Sequence, residues 1–236
     1  MLWYQGESNG LSGRHDDNPA YSAYEPKLKA FIADCRKLWG MGDFPFYIVQ
    51  LAGWGAPKPD PAGNDGWTFI CDAQLKTLAV TNTGLAVTID IGDRNDIHPR
   101  NKYDVGMRLS RWALARDYGQ TNLEVSGPLY KSMKVEGEKV RIAFDHAGTG
   151  LMVGKKEGRS PSVEMKGGAL QRFAVAGEDR KWAWATAVID GPTVVVSSPE
   201  VKAPVAVRYA YSQNPEGANL YNREGLPASP FRTDDW

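Results

Sequence analysis

Two short stretches hold the residues best equipped for chemistry. Asp96 and His98 stand two apart in the run Gly92-Asp93-Arg94-Asn95-Asp96-Ile97-His98-Pro99, and Ser8 stands just after Gln5 in Gly6-Glu7-Ser8-Asn9-Gly10. A histidine that takes a proton from a hydroxyl, a carboxylate that fixes its tautomer and a serine that attacks an acyl carbon together make acyl transfer. In that chemistry His98 is the general base, Asp96 its orienter and Ser8 a candidate nucleophile. Gln5 and the backbone N–H of Gly6 are candidate oxyanion donors. Pro99 restricts the backbone beside the histidine. Asp90 and Asp93 are rival orienters, or they cap turns, the usual work of loop aspartates. The spacing of Asp90, Asp93 and Asp96 does not mark a calcium loop, so no metal is expected. Acyl transfer by these groups needs no cofactor.

Gly6-Glu7-Ser8-Asn9-Gly10 matches the Gly-x-Ser-x-Gly pattern of a strained turn between a strand and a helix. The order Ser8, Asp96, His98 is also the order of α/β-hydrolase triads. Against this reading, a polar loop from Leu11 to Pro19 follows the pattern where a helix would be needed. Glu7 reads as a buried hydrogen-bonding anchor.

These groups need elements to hold them. Leu2-Trp3-Tyr4 reads as a strand end running into the Gln5–Gly10 turn. Helical spacing on one face runs from Tyr21 to Trp39 and stops at Gly40. Phe44 to Leu51 is nearly all apolar, as in a parallel strand covered on both faces. A Gly/Pro-rich loop from Gly53 to Gly66 precedes a helix from about Trp67 to Val80. Gly84 to Asp90 reads as a buried strand that releases the Asp93–His98 loop, and a further helix runs from Tyr103 to Tyr118. Alternating strands and helices predict a parallel α/β layer with its active groups at the strand C-termini. Ser8 and His98 both fall there.

Beyond about Asn122 the texture changes to short β-type runs: Val140–Phe144, Gln171–Val175, Ala183–Val188, Thr193–Ser197 and Ala206–Ala210. Val140–Phe144 and Val205–Tyr209 alternate apolar and polar residues, as half-buried antiparallel strands do. The expected organisation is an α/β portion over residues 1–121 and a small β-rich, sandwich-like domain over 122–236, with an ordered but mostly irregular tail.

The chain has 236 residues with 28 basic and 28 acidic side chains, a balance that argues against a nucleic-acid partner. No run approaches the roughly 18 apolar residues of a membrane span. Cys35 and Cys71 fall on apolar helix faces, and their spacing gives no basis for a disulfide. Of the eight tryptophans, Trp54 and Trp67 stand in or beside the Gly53–Gly66 loop, where aromatic rings suit either a sugar cleft or a core. Met1 leads straight into the texture of a strand interior, which predicts that further sequence precedes it in a longer protein.

Trp3–Asn9, Asp90–Asp93 and Asp96–Lys102, with Val207–Ala210, Asn219–Asn222 and Gly225–Arg232 near the C-terminus, resemble the sialate O-acetylesterase family of SGNH-type carbohydrate esterases. The resemblance runs over essentially the whole chain. It implies a partial flavodoxin-like (SGNH) layer with associated β domains, an acetylated carbohydrate as substrate and partner, and export to the periplasm or cell exterior for the parent enzyme. It carries Gln5 and Gly6 to the oxyanion region, and Asp96 and His98 to orienter and base. The family's nucleophile lies in a Gly-Gln-Ser-Asn block upstream of the Gln-Gly-Glu block, and no such block is present. The resemblance therefore implies the C-terminal portion of an esterase, with Ser8 as the local stand-in. A sheet edge left open by a missing strand would favour a homo-oligomer. The competing reading is a non-catalytic carbohydrate-binding or scaffold remnant of such an enzyme.

Overall fold

A computed structural model describes residues 1–11, 23–63 and 65–236. Three strands, β1 (Leu2–Trp3), β2 (Phe46–Val49) and β3 (Thr83–Ala86), form a parallel sheet in the order β1-β2-β3. The pleat of β2 divides the core. Phe46 and Ile48 face one cluster with Leu28, Ile32, Ile70 and Leu85, and Tyr47 and Val49 face another with Val105, Leu109 and Trp112. The first cluster is covered by α2 (Tyr24–Trp39) and α3 (Gly66–Lys76), the second by α4 (Lys102–Arg116). This is the expected α/β layer. The strands are shorter than their apolar runs, because the residues after each strand leave the sheet to build loops. The predicted start of the α2 helix at Tyr21 and most of the Leu11–Pro19 loop lie outside the described residues.

Local signals explain the helix ends. Gly40 terminates α2 in the left-handed conformation at φ 64°. Asp65 accepts from the Thr68 N–H at 3.1 Å to cap α3, and Asn101 accepts from the Asp104 N–H at 3.1 Å to cap α4. One short helix was not expected. Residues Glu7–Gly10 form a single turn, α1, where the sequence reading had placed no helix directly after Gly6.

The rest of the chain is antiparallel β. One sheet orders β10 (Thr186–Asp190), β11 (Thr193–Ser197), β5 (Lys139–Asp145) and β4 (Leu129–Glu136). A second orders β14 (Phe231–Arg232), β12 (Ala206–Tyr209), β8 (Phe173–Ala176) and β9 (Trp182–Trp184). Val140, Ile142, Val194 and Val196 of the first share one core with Phe173, Val175, Val207, Tyr209 and Phe231 of the second, which makes the sandwich. A smaller sheet orders β13 (Leu220–Asn222), β6 (Leu151–Lys155) and β7 (Val163–Glu164).

Two sequence readings are corrected here. Ala183–Val188 is not one strand, because β9 and β10 belong to different sheets. The strand over Ala206–Tyr209 is buried at all four positions. Its Arg208 is internal because Asp234 pairs with it at 2.5 Å and the Trp182 ring lies 4.2 Å from its guanidinium carbon. The tail supplies the short strands β13 and β14 and is otherwise irregular, with Leu220, Ala228 and Ser229 fully enclosed.

The β sheets are bonded tightly to the α/β layer. Gln50, at the end of β2, donates to Ser229 Oγ at 2.9 Å, and Arg208 donates to the Ala62 carbonyl. Gln213 N–H donates to Asp65 at 2.7 Å, and Asn214 donates to the Gly55 carbonyl.

Candidate active site

Because all three strands of the layer are parallel, their C-terminal ends share one edge. Gln5 follows β1, Gly53 and Trp54 follow β2, and the Asp90–His98 segment follows β3. Two contacts tie these segments together. The Lys102 ammonium sits 5.0 Å from the centre of the Tyr4 ring, joining the end of β1 to the start of α4. Tyr4, Trp54 and Ile97 also pack on the same apolar cluster.

Gln5 and Gly6 are held from several sides. Tyr24 donates through its hydroxyl to the Gln5 carbonyl at 2.8 Å and to Gln5 Oε1 at 3.1 Å. Gln74 donates to the same carbonyl at 3.0 Å, and Gln5 Nε2 donates to Asn9 at 2.8 Å. Gly6 has φ 145°, and a Cβ there would meet Ile70 Cγ2 at 2.7 Å. Only glycine fits this turn. Burial, with the nearby Glu7 charge adding to it, raises the Tyr4 and Tyr24 hydroxyls to about 12, so both stay protonated donors near neutral pH. Glu7 itself is half-buried in the first turn of α1 rather than fully enclosed.

Ser8 is exposed within α1. Its backbone is helical, and the left-handed strain of the turn falls on Gly6. Ser8 therefore does not occupy the strained apex that Gly-x-Ser-x-Gly denotes.

Asp96 and His98 form a pair. Asp96 Oδ1 accepts from the His98 backbone N–H at 2.9 Å and lies 3.3 Å from its ring Nδ1. The His98 side chain is 81% exposed and that of Asp96 40% exposed. The His98 backbone N–H, with the ring assisting, holds the Asp96 carboxyl below its ordinary value of 3.8. With Nδ1 turned to the carboxylate, Nε2 is the ring nitrogen presented outward.

The rival aspartates have other work. Asp90, with its side chain 2% exposed, makes a two-pronged ion pair with Arg108 at 2.6 and 2.7 Å and accepts from the Tyr221 hydroxyl at 3.2 Å. Burial works against the Arg108 charge, and the Asp90 carboxylate overcomes it, so the guanidinium is held more firmly protonated. Asp93 accepts from the Asn95 N–H at 2.9 Å and closes a turn. Trp67 is inside α3 and buried, with its Nε1 donating to Ala52, so it is a core residue, whereas Trp54 is half-buried beside it.

The sequence reading missed Arg108. A signal for it was present: an arginine on the same face as Val105, Leu109 and Trp112 needs a buried carboxylate. It also missed the far wall of the adjacent cleft. A cleft of about 530 Å³ lies beside the Asp90–Arg94 segment, lined by Asp90, Gly92 and Arg94 on one side and by Lys156, Asn214–Asn219 and Tyr221 on the other. Among the described residues, no cluster of His, Cys, Asp and Glu is arranged to hold a metal, and no helix is long and apolar enough to cross a membrane. Cys71 is buried and Cys35 half-buried, and both are free thiols.

A parallel α/β layer followed by a β-rich sandwich is the fold class expected of a partial SGNH-type layer with its associated β domain. The family model of the sialic acid-specific acetylesterases, which are carbohydrate esterases, matches residues 1–114. A carbohydrate acetylesterase from Xanthomonas citri superposes with TM-score 0.86 at 42% identity, over 100% of this chain and 50% of that one. The sialate O-acetylesterases of Mus musculus and Homo sapiens are 29% and 28% identical over 98% of this chain, covering 43% and 45% of their own lengths. Over almost its whole length the chain is similar to sialate O-acetylesterases and to a carbohydrate acetylesterase. It spans less than half the length of the curated relatives it matches.

Proposed function

We propose that this chain carries the base, orienter and oxyanion groups of a carbohydrate acetylesterase that works by serine acyl transfer. The observation that carries the reading is the Asp96–His98 pair, presented at the strand ends of a chain similar to sialate O-acetylesterases. His98 Nε2 takes the proton as a serine hydroxyl adds to the acetyl carbonyl. Asp96 keeps the other proton on Nδ1 and stabilises the imidazolium. The tetrahedral oxyanion is received by the Gly6 N–H and by the second N–H of the Gln5 amide, whose first is used by Asn9. His98 then protonates the departing sugar oxygen, and water hydrolyses the acetyl-serine by the reverse proton path.

The proposed substrate is an acetyl ester on a carbohydrate, in keeping with the activities for which the relatives are named. Ser8 is the local candidate for the nucleophile. Within this reading residues 1–121 are the catalytic portion, and residues 122–236 form the β-rich domain that buttresses it.

Turnover of p-nitrophenyl acetate by the purified chain, by Ser8→Ala and by His98→Ala tests this. Loss in both variants assigns Ser8. Loss in His98→Ala alone assigns another nucleophile. A parent chain without turnover overturns the idea that it acts as an esterase by itself.

A further inference from the structure

The loop that presents His98 is tied to the layer by a bridge between Trp54 and Asp93 and by Ile97 on the apolar cluster, and otherwise only by short turn bonds. The turn bonds from Asn95 to Asp93 and from His98 to Asp96 span two residues each and lie at the surface. Three residues beyond His98 the loop enters α4 through its cap, Asn101, and there it meets a long-range anchor.

Lys156 follows β6 in the β-rich portion, and its side chain is only 5% exposed. Its ammonium lies 2.6 Å from Asp104 Oδ2 on the first turn of α4, and it donates to the carbonyls of Gly158 and Ser160 at 2.8 Å each. Asn101 closes the circuit. It donates through Nδ2 to the Gly158 carbonyl at 3.0 Å and to Asp104, while its Oδ1 accepts the Asp104 N–H. Three protons of one ammonium thus reach three oxygens, and the 156–160 loop and the start of α4 grip each other twice.

A buried lysine is uncommon unless paired. A buried pair adds little net stability over an apolar replacement, because desolvation offsets the attraction. What such a pair supplies is one fixed geometry, which matters here because a base displaced by about 1 Å can lose about 100-fold in rate.

We propose that Lys156 is a positioning residue for His98. Through Asp104 and Asn101 it fixes where the base loop enters α4, and so it aims the imidazole. This rests on the reading of His98 as the base. The contribution comes from the β-rich portion, so that portion takes part in building the site.

The test uses the full chain with Lys156→Met and Lys156→Arg, and with Asn101→Ser, which keeps a capping oxygen but is too short to reach Gly158. Steady-state p-nitrophenyl acetate kinetics, thermal midpoints and ring ¹⁵N shifts of His98 at fixed pH are measured. The expected result is a folded Lys156→Met with kcat down about 10- to 100-fold, KM within about twofold, shifted His98 ring signals, and partial recovery in Lys156→Arg. Asn101→Ser should move the His98 signals in the same sense. Should Lys156→Met fail to fold, Asn101→Ser decides by the same criteria. His98 signals and kcat unchanged in a folded variant overturn the proposal. If the parent chain shows no turnover, the His98 signals alone decide this proposal, and the esterase reading fails separately.

Discussion

His98 and His146 each face a carboxylate, and the two pairs differ in spacing and exposure. His146 Nδ1 lies 2.6 Å from Glu124, with the two side chains 28% and 21% exposed. Its ring meets Trp112 edge-on at 5.9 Å, and its carbonyl accepts from Asn222. Everything around it ties the segment after α4 to the β-rich portion. His98 is farther from its carboxylate, at 3.3 Å, and 81% exposed. Within the proposed function, the shorter and better buried pair is the structural one. A base must reach a substrate proton, and the more exposed ring is the better placed to do so. A short carboxylate–histidine contact therefore does not mark catalysis by itself; the placement of the second ring nitrogen does.

The largest effect that would sharpen this contrast is on turnover. His98→Ala should lower kcat by about 100- to 10,000-fold with the thermal midpoint nearly unchanged, and an active folded variant would break the contrast. Next comes Asp90, the rival aspartate on the same segment. Asp90→Asn leaves the Arg108 charge buried without its counter-charge and should cost about 3 kcal/mol in denaturant unfolding. A cost under about 1 kcal/mol would place Asp90 outside the structural class. His146→Asn should cost about 1 kcal/mol and leave kcat within about twofold. Asparagine is chosen because residue 146 is left-handed at φ 58°.

The smallest effect is the pH response of Asp96. Its carboxyl titrates below 3.8 in the fold, so its contribution to stability is fully present above about that pH and is lost as pH falls through the lowered value. The small difference in thermal midpoint between the parent and Asp96→Asn should shrink below about pH 3.8. A difference that grows on acidification would reverse the sign assigned here.

Local pattern was enough for much of the fold. Tyr24, Leu28 and Ile32 announced α2, and Gly40 announced its end, because helical period and a left-handed cap act within a few residues. The Thr193–Ser197 strand was equally legible. The Ala183–Val188 run misled, since one apolar stretch can serve two sheets and periodicity is silent about which partner a strand finds. The helical turn at Glu7–Gly10 escaped because four residues carry no period.

The candidate site divides along the same line. The sequence by itself determined that the Gln5–Gly6 turn has a glycine where φ is 145°, and it determined the Asp96–His98 pair, since a bond across two residues needs no distant partner, whereas the close approach of Ile70 to Gly6 is tertiary. The tertiary structure decided what became of Asp90, which meets Arg108 and Tyr221 from 18 and 131 residues away, and of Lys156, which reaches back to the start of α4. Whether a charged side chain is solvated or locked depends on which groups the folded chain brings around it. That depends on long-range packing, which spacing along the chain does not record.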